Sequence, residues 1–269
     1  MDVQKAIHFI KENGTEIDIY RLNYLLTKER DDDVPLRYLQ GFQNEDGGFP
    51  YNNKKGNLSC INATCLNLSL IIELGLTESD NCRKTIEYLL RVQGEDGSWD
   101  QHLAITQYNP PFWNIPGDLK VKMWLTACIL NNLIKLGYRE SEAVRKATQF
   151  LLKHRDEDGK FVGFLHATWI SIGIFGQLEG NKSEIVQKAL NVIERNYEQL
   201  ENDPTNLTWC LECFYVAGIS KDDPVVKRCI NRVIELQRQD GAWSSGDGVE
   251  QTVSITLGVL KSLKMYKIW

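Results

Sequence analysis

The sequence has little that would send it to a membrane or to nucleic acid. No apolar run approaches the roughly 20 residues that a membrane span needs. The 31 Lys plus Arg are outnumbered by 36 Asp plus Glu, so the basic surplus of a nucleic-acid-binding chain is missing. The start, Met1-Asp2-Val3-Gln4-Lys5, has an acid and polar residues where a signal peptide would carry its apolar stretch. Seven cysteines, an odd number, do not form a disulfide framework in a long chain without secretory features. Reduced thiols and a cytoplasmic location are therefore expected. Convincing strand alternation is lacking as well. What remains is 269 residues, 42% apolar, enough to bury a substantial core.

A repeat is present. Gln43-Asn44-Glu45-Asp46-Gly47-Gly48-Phe49 recurs as Gln93-Gly94-Glu95-Asp96-Gly97-Ser98-Trp99. It returns as Arg155-Asp156-Glu157-Asp158-Gly159-Lys160-Phe161 and as Gln237-Arg238-Gln239-Asp240-Gly241-Ala242-Trp243. A degenerate fifth copy falls near Glu201-Asn202-Asp203. Each copy follows an amphipathic helical pattern and precedes one that is apolar nearly all round. Asp-Gly fits a turn with positive φ at the glycine, and the following aromatic can pack back on the helix just ended. Helices apolar on every side belong inside. About twelve helices in six hairpins then predict an all-α, single (α/α)6 toroid spanning residues 1–269, with six inner helices ringed by six outer ones. An open solenoid of the same hairpins is the alternative.

The recurring Gln-x-x-Asp-Gly-x-Trp/Phe resembles the repeat of class II terpene cyclases such as squalene–hopene cyclase, and it is similar to that of protein prenyltransferase β subunits. The resemblance covers about residues 33 to 265, with the first hairpin expected to complete the ring. It implies an isoprenoid ligand in a central cavity, and either protonation chemistry or zinc-dependent prenyl transfer.

The inner helices share a phase set by Thr64, Thr126, Thr168, Thr208 and Thr252. Two residues earlier stand Asn62, Trp124, His166, Asn206 and Glu250, and the first hairpin adds Asp18. In a toroid these six would ring one mouth of the cavity. The cyclase motif Asp-x-Asp-Asp-Thr-Ala is matched best by Cys60-Ile61-Asn62-Ala63-Thr64-Cys65, which keeps the threonine and no carboxylate. Glu250 and Asp18 are the remaining candidate acids, with His166 as partner, because a carboxylic acid in an apolar cavity has a raised pKa. The departure argues against squalene-type cyclisation, as does a length of only one ring. The prenyltransferase zinc ligands are replaced by Trp209, Leu211 and Gln251, so no metal and no cofactor is expected.

Trp124, Trp169, Trp209, Phe214 and Tyr215 fall on inner helices with Asn62 and Asn206. They are the expected substrate wall, since aromatic faces stabilise a carbocation or solvate an isoprenoid. Filling of the core is the competing role. Trp99 and Trp243 belong to repeat turns and should be structural. Asp33 is expected to cap a helix with Pro35 in its first turn, and the paired cysteines to be buried thiols.

Residues 98–117 lengthen one repeat and hold three of the seven prolines. Phe112 and Trp113 there suggest a lid, or a peripheral contact with a membrane from which lipid substrates are taken. The functional expectation is an isoprenoid-handling enzyme, a divergent class II-type cyclase acting by protonation. A non-catalytic toroid binding a lipid or protein, or a prenyltransferase-like subunit needing a partner, are the alternatives.

Overall fold

A computed structural model describes residues 1–246 and 248–269. Twelve α-helices occur among the described residues: α1 (Val3–Asn13), α2 (Glu16–Thr27), α3 (Asp33–Phe42), α4 (Ile61–Glu73), α5 (Asp80–Arg91), α6 (Leu119–Lys135), α7 (Glu142–Lys153), α8 (Leu165–Glu179), α9 (Glu184–Arg195), α10 (Pro204–Val216), α11 (Pro224–Glu235) and α12 (Thr252–Met265). Two isolated bridges, Pro50 with Ser59 and Arg155 with Phe161, are the only extended pairing among these residues. None of the described helices is long and apolar enough to cross a membrane.

Local chemistry sets the helix ends. The side chains of Ser79 and Ser141 cap α5 and α7 by accepting the N–H of Cys82 (3.2 Å) and Val144 (3.3 Å). A Leu-Gly pair closes α4. Gly75 has φ 69°, its N–H reaches the Ile72 carbonyl, and the Leu76 N–H reaches Ile71. The Arg30–Asp33 run is also locally consumed. Asp32 pairs with Arg30 at 2.6 Å, and Asp33 is the first helical residue rather than the residue before it.

The helices form two compact units. One comprises Met1–Val34 and Phe175–Trp269, the other Pro35–Ile174, so the boundaries lie inside α3 and α8. In the second unit α4 packs against α5 and α6, and α6 against α7. In the first, α12 packs against α1, α2 and α10, and α10 against α11.

The repeat turns explain this packing. Each well-formed copy is a tight reverse turn: Gly97 donates to the Gly94 carbonyl, Gly94 to the Ser98 carbonyl, and Ser98 to the Asp96 carboxylate. The glutamine then stitches two outer helices together. Gln93 Nε2 donates to Gly97 O inside its own turn and to Ala143 O at the start of α7, both at 2.9 Å. Gln43 does the same with Gly47 O and Asn81 O of α5. Gln237, at the end of α11, reaches Asp2 before α1 with a reciprocal pair: its Nε2 donates to Asp2 O and its Oε1 accepts from Asp2 N. The N-terminal hairpin therefore follows α11 as α5 follows α3.

Gly97 shows why glycine is required. Its φ is 87°, and a Cβ there would stand 2.5 Å from the Lys146 carbonyl oxygen of α7. Gly137 has nearly the same φ (85°) with nothing within 4 Å of a Cβ. Gly137→Ala should cost about 1–2 kcal/mol, the ordinary left-handed penalty. Gly97→Ala should cost clearly more, because α7 must also move. Urea unfolding of both variants checks the difference, and equal losses would contradict it.

Candidate functional site

The threonine phase of the inner helices has a physical basis. In each good repeat the aromatic is buried, and its main-chain N–H is donated to a threonine hydroxyl on the following inner helix. Phe49 N donates to Thr64 (2.9 Å), Trp99 N to Thr126 (2.9 Å), Phe161 N to Thr168 (3.1 Å) and Trp243 N to Thr256 (3.2 Å). The indoles of Trp99 and Trp243 donate back to Leu89 O and Val233 O of the outer helix just ended, both at 2.7 Å. Both side chains are fully buried.

This corrects the register of the last hairpin. The threonine in phase there is Thr256, one turn beyond Thr252, so Ser254 stands at the position that sequence spacing gave to Glu250. The separation from aromatic to threonine is 15, 27, 7 and 13 residues in the four copies, so spacing alone did not fix it. The degenerate copy also differs. Its threonine, Thr208, is buried at 6% exposure with a hydroxyl that has no hydrogen-bond partner among the described residues. Asp203 there caps α10 by accepting from Thr205 N and forms no repeat turn.

The six residues that the sequence spacing placed at the mouth fall in both units. In Met1–Val34 and Phe175–Trp269, Asp18 is engaged locally: its carboxylate accepts from Thr15 N (3.1 Å) and Thr15 Oγ (2.6 Å), and it pairs with Arg21 at 3.5 Å. That is a capping box at the start of α2. Glu250 is exposed in a short turn before α12. Asn206 and Trp209 lie half-buried on α10. Phe214 is fully buried, whereas its neighbour Tyr215 is 45% exposed with its ring edge-on to Tyr266. Cys210 is buried with its thiol pKa pushed well up by burial, as for a core thiol.

The Pro35–Ile174 unit brings together most of the expected aromatic residues. His166 lies 4.3 Å from Trp169 and edge-on to Phe164 at 6.3 Å. Phe164 in turn meets Phe112 at 6.2 Å, and Trp113 stands edge-on to Trp124 at 6.1 Å. The loop thus makes two aromatic contacts, Phe112 with Phe164 just before α8 and Trp113 with Trp124 of α6, while Trp169 itself is fully buried. The Trp124 indole N–H is buried without an acceptor among the described residues, a costly state for a donor. Asn62 is half-buried in the first turn of α4. Phe164 was missed in the sequence, although it stands only two residues before His166.

The inserted loop is pinned rather than loose. Gly117 N donates to the Asp100 carboxylate at 2.9 Å, closing the base. Gln101 accepts from Ile61 N at 2.8 Å and donates to Asn114 within the buried interior. At the far side Tyr108 stacks on Tyr51 at 5.0 Å and accepts from Leu58 N. Burial pushes the Asp100 carboxyl up, against the main-chain N–H groups of Gly117 and Gln101. In Asp96 burial is outweighed by Ser98 and Lys122, which hold the carboxyl below its usual range. The loop nonetheless exposes Leu103 (73%), Phe112 (71%), Ile115 and Trp113.

An all-helical chain of outer and inner pairs joined by these turns is a helical-hairpin toroid protein. The chain belongs to the prenyltransferase alpha-alpha toroid domain family, whose model matches residues 17–168 and 179–268. The toroid expected from the six hairpins is therefore its fold. Among solved structures it is similar to a protein from Actinoplanes, with 13% identity over 98% of both chains and a TM-score of 0.68. It is similar to the type II terpene cyclase MstE from Scytonema, with 13% identity over 99% of this chain and 97% of that one and a TM-score of 0.66. A variant of MstE in complex with geranylgeranyl dihydroxybenzoate matches at 13% identity, 99% and 97% coverage and a TM-score of 0.61.

The threonine contacts yield a paired test. Thr126→Val leaves the buried Trp99 N–H without an acceptor and should cost about 1–3 kcal/mol. Thr208→Val removes a buried hydroxyl that has no partner and should be neutral or stabilising. Thermal denaturation of the two variants reads the contrast, and a comparable loss in both would sink the account.

Proposed function

We propose that this protein is an isoprenoid-handling enzyme of the type II terpene-cyclase kind. The observation that carries the reading is a set of aromatic contacts, Phe112 with Phe164, Trp113 with Trp124, and His166 with Phe164 and the buried Trp169. Such faces suit a polyunsaturated hydrocarbon chain and stabilise positive charge that develops along it. The unpartnered Trp124 N–H adds one polar donor, suited to an oxygen-bearing head group such as that of the MstE ligand. Trp209, Phe214, Tyr215, Asn62 and Asn206 are the further candidate binding residues. Of the two candidate acids, Glu250 is the one we assign to protonation, because Asp18 is occupied by Thr15 and Arg21. His166, beside Trp169 in the Pro35–Ile174 unit, is a further candidate residue.

That engagement of Asp18 favours a second reading, a toroid that binds an isoprenoid and does not transform it. Incubation with geranylgeranyl dihydroxybenzoate and with squalene, followed by mass spectrometry of products and of retained ligand, separates the two. A cyclised product that disappears in Glu250→Gln, with ligand retention unchanged, is expected for the enzyme. Retention without product supports the binder. Neither retention nor product would remove both readings. In either case Trp124→Ala and Trp169→Ala should weaken retention at least tenfold.

The exposed apolar side chains on a pinned loop support a lipid-facing role for residues 98–117, from which a water-insoluble substrate is taken up. Phe112→Ser with Trp113→Ser should reduce co-sedimentation with phospholipid vesicles severalfold while leaving the melting temperature nearly unchanged. Unaltered sedimentation would argue against it.

A further inference from the structure

Two neighbouring inner helices carry an ion pair that the isoprenoid assignment leaves without a role. α10 and α12 pack together within one unit. A Cβ on Gly258 would stand 3.3 Å from Cγ2 of Thr208, and the Tyr266 hydroxyl donates to the Leu211 carbonyl at 3.2 Å. Thr208 thus meets Gly258 and, about one turn further along each helix, Glu212 meets Lys261, so the two helices run in the same direction.

Helical spacing picks out a solvent-reaching stripe on each. On α10 it is Thr205, Trp209, Glu212 and Val216. On α12 it is Ser254, Gly258, Lys261 and Met265. Both sets follow i, i+4, i+7 and i+11, one face of a 3.6-residue helix, whereas Leu211 and Leu260 beside them are fully buried.

Near the middle of these stripes Glu212 and Lys261 pair across the two helices at 2.9 Å, with side chains only 23% and 27% exposed. Ion pairs on the outer helices are of another kind. Glu184 with Lys188 on α9, and Arg83 with Glu87 on α5, each join residues four apart on one helix, and all four side chains are at least 40% exposed. Lys264, off the stripe, donates to the Leu25 carbonyl and lies over the Trp269 ring.

A hydrocarbon chain laid across Glu212 and Lys261 would strip water from both charges and return no hydrogen bond. An anionic end gains no net attraction, because the Glu212 carboxylate offsets the Lys261 ammonium. A hydroxyl suits the pair, since it donates to a carboxylate that can accept several hydrogen bonds and accepts from an ammonium. Trp209 toward one end of the stripe, and Val216 with Met265 toward the other, offer apolar contact to the carbon skeleton beside that hydroxyl.

We propose that Glu212 and Lys261 recognise an uncharged hydroxyl of the ligand, which makes the substrate class an isoprenoid alcohol rather than a hydrocarbon or a diphosphate. The proposal rests on the isoprenoid reading, and this site acts independently of the Trp124 N–H.

Titration of the full chain with four compounds that share one C20 chain, followed by tryptophan fluorescence, tests the assignment. They are geranylgeraniol, its methyl ether, geranylgeranoic acid and geranylgeranyl diphosphate. Geranylgeraniol should bind at least tenfold more tightly than the ether, and more tightly than either anion. Glu212→Leu with Lys261→Met should reduce the preference over the ether to less than threefold, with the ether bound as well as before. The exchanged pair, Glu212→Lys with Lys261→Glu, should retain the preference, and circular dichroism checks the fold of both. The comparison of compounds on the unaltered protein stands even if a double variant does not fold. Equal binding of alcohol and ether, tighter binding of an anion, or a preference that survives the apolar double variant would overturn the proposal and leave the isoprenoid reading in place. Binding of none of the four would remove both.

Discussion

A chain that leaves an outer helix through a tight turn and buries a large aromatic also buries that residue's main-chain N–H, which no regular helix or sheet then satisfies. Here the threonine hydroxyl of the next inner helix accepts it, in the contacts of Phe49 with Thr64, Trp99 with Thr126, Phe161 with Thr168 and Trp243 with Thr256. A buried amide left without an acceptor costs on the order of 1–3 kcal/mol. The bond therefore sets the phase at which an inner helix meets its turn. The glutamine acts beside it, dividing its two N–H donors between its own turn and the next outer helix. Three helices are tied at one point, and helix packing follows from those ties.

The same constraint separates scaffold from chemistry. The repeat residues are consumed by structure, down to the indole N–H of Trp99 and Trp243. The candidate binding residues of the proposed function therefore lie elsewhere, at the starts of the inner helices and in the insertion. Phe112 and Trp113 of the loop are set against Phe164 and Trp124 respectively. Fixing that loop takes buried polar contacts such as Gln101 with Ile61 and Asn114. On that anchored base Leu103, Phe112, Trp113 and Ile115 stay exposed. At the lost repeat, Tyr197 and Arg228 fill part of the space a turn would occupy and leave the rest open.

The all-α class and the alternation of amphipathic and apolar helices were legible because each is a local preference written in a few neighbouring residues. The core roles of Trp99 and Trp243 were legible for the same reason. The phase of the last inner helix was not. Thr252 and Thr256 lie one turn apart on the same face of α12, both buried, and only the position of Trp243 in space selects Thr256. Asp18 looked like a spare carboxylate, yet Thr15 three residues earlier carries the other half of a capping box. That pairing could have been recognised from the sequence.

The amino-acid order alone determined the hairpins, their turns and the division of aromatics between repeat and interior, since these rest on backbone preference and helical periodicity. Tertiary structure decided which hydroxyl accepts which amide and which aromatic rings meet. It alone showed that Tyr197 meets the Arg228 carbonyl and guanidinium at the lost repeat. Those outcomes depend on contacts between residues distant in sequence, made only when helices pack. No local spacing encodes them, because the connecting loops vary in length while the hydrogen-bond distance does not.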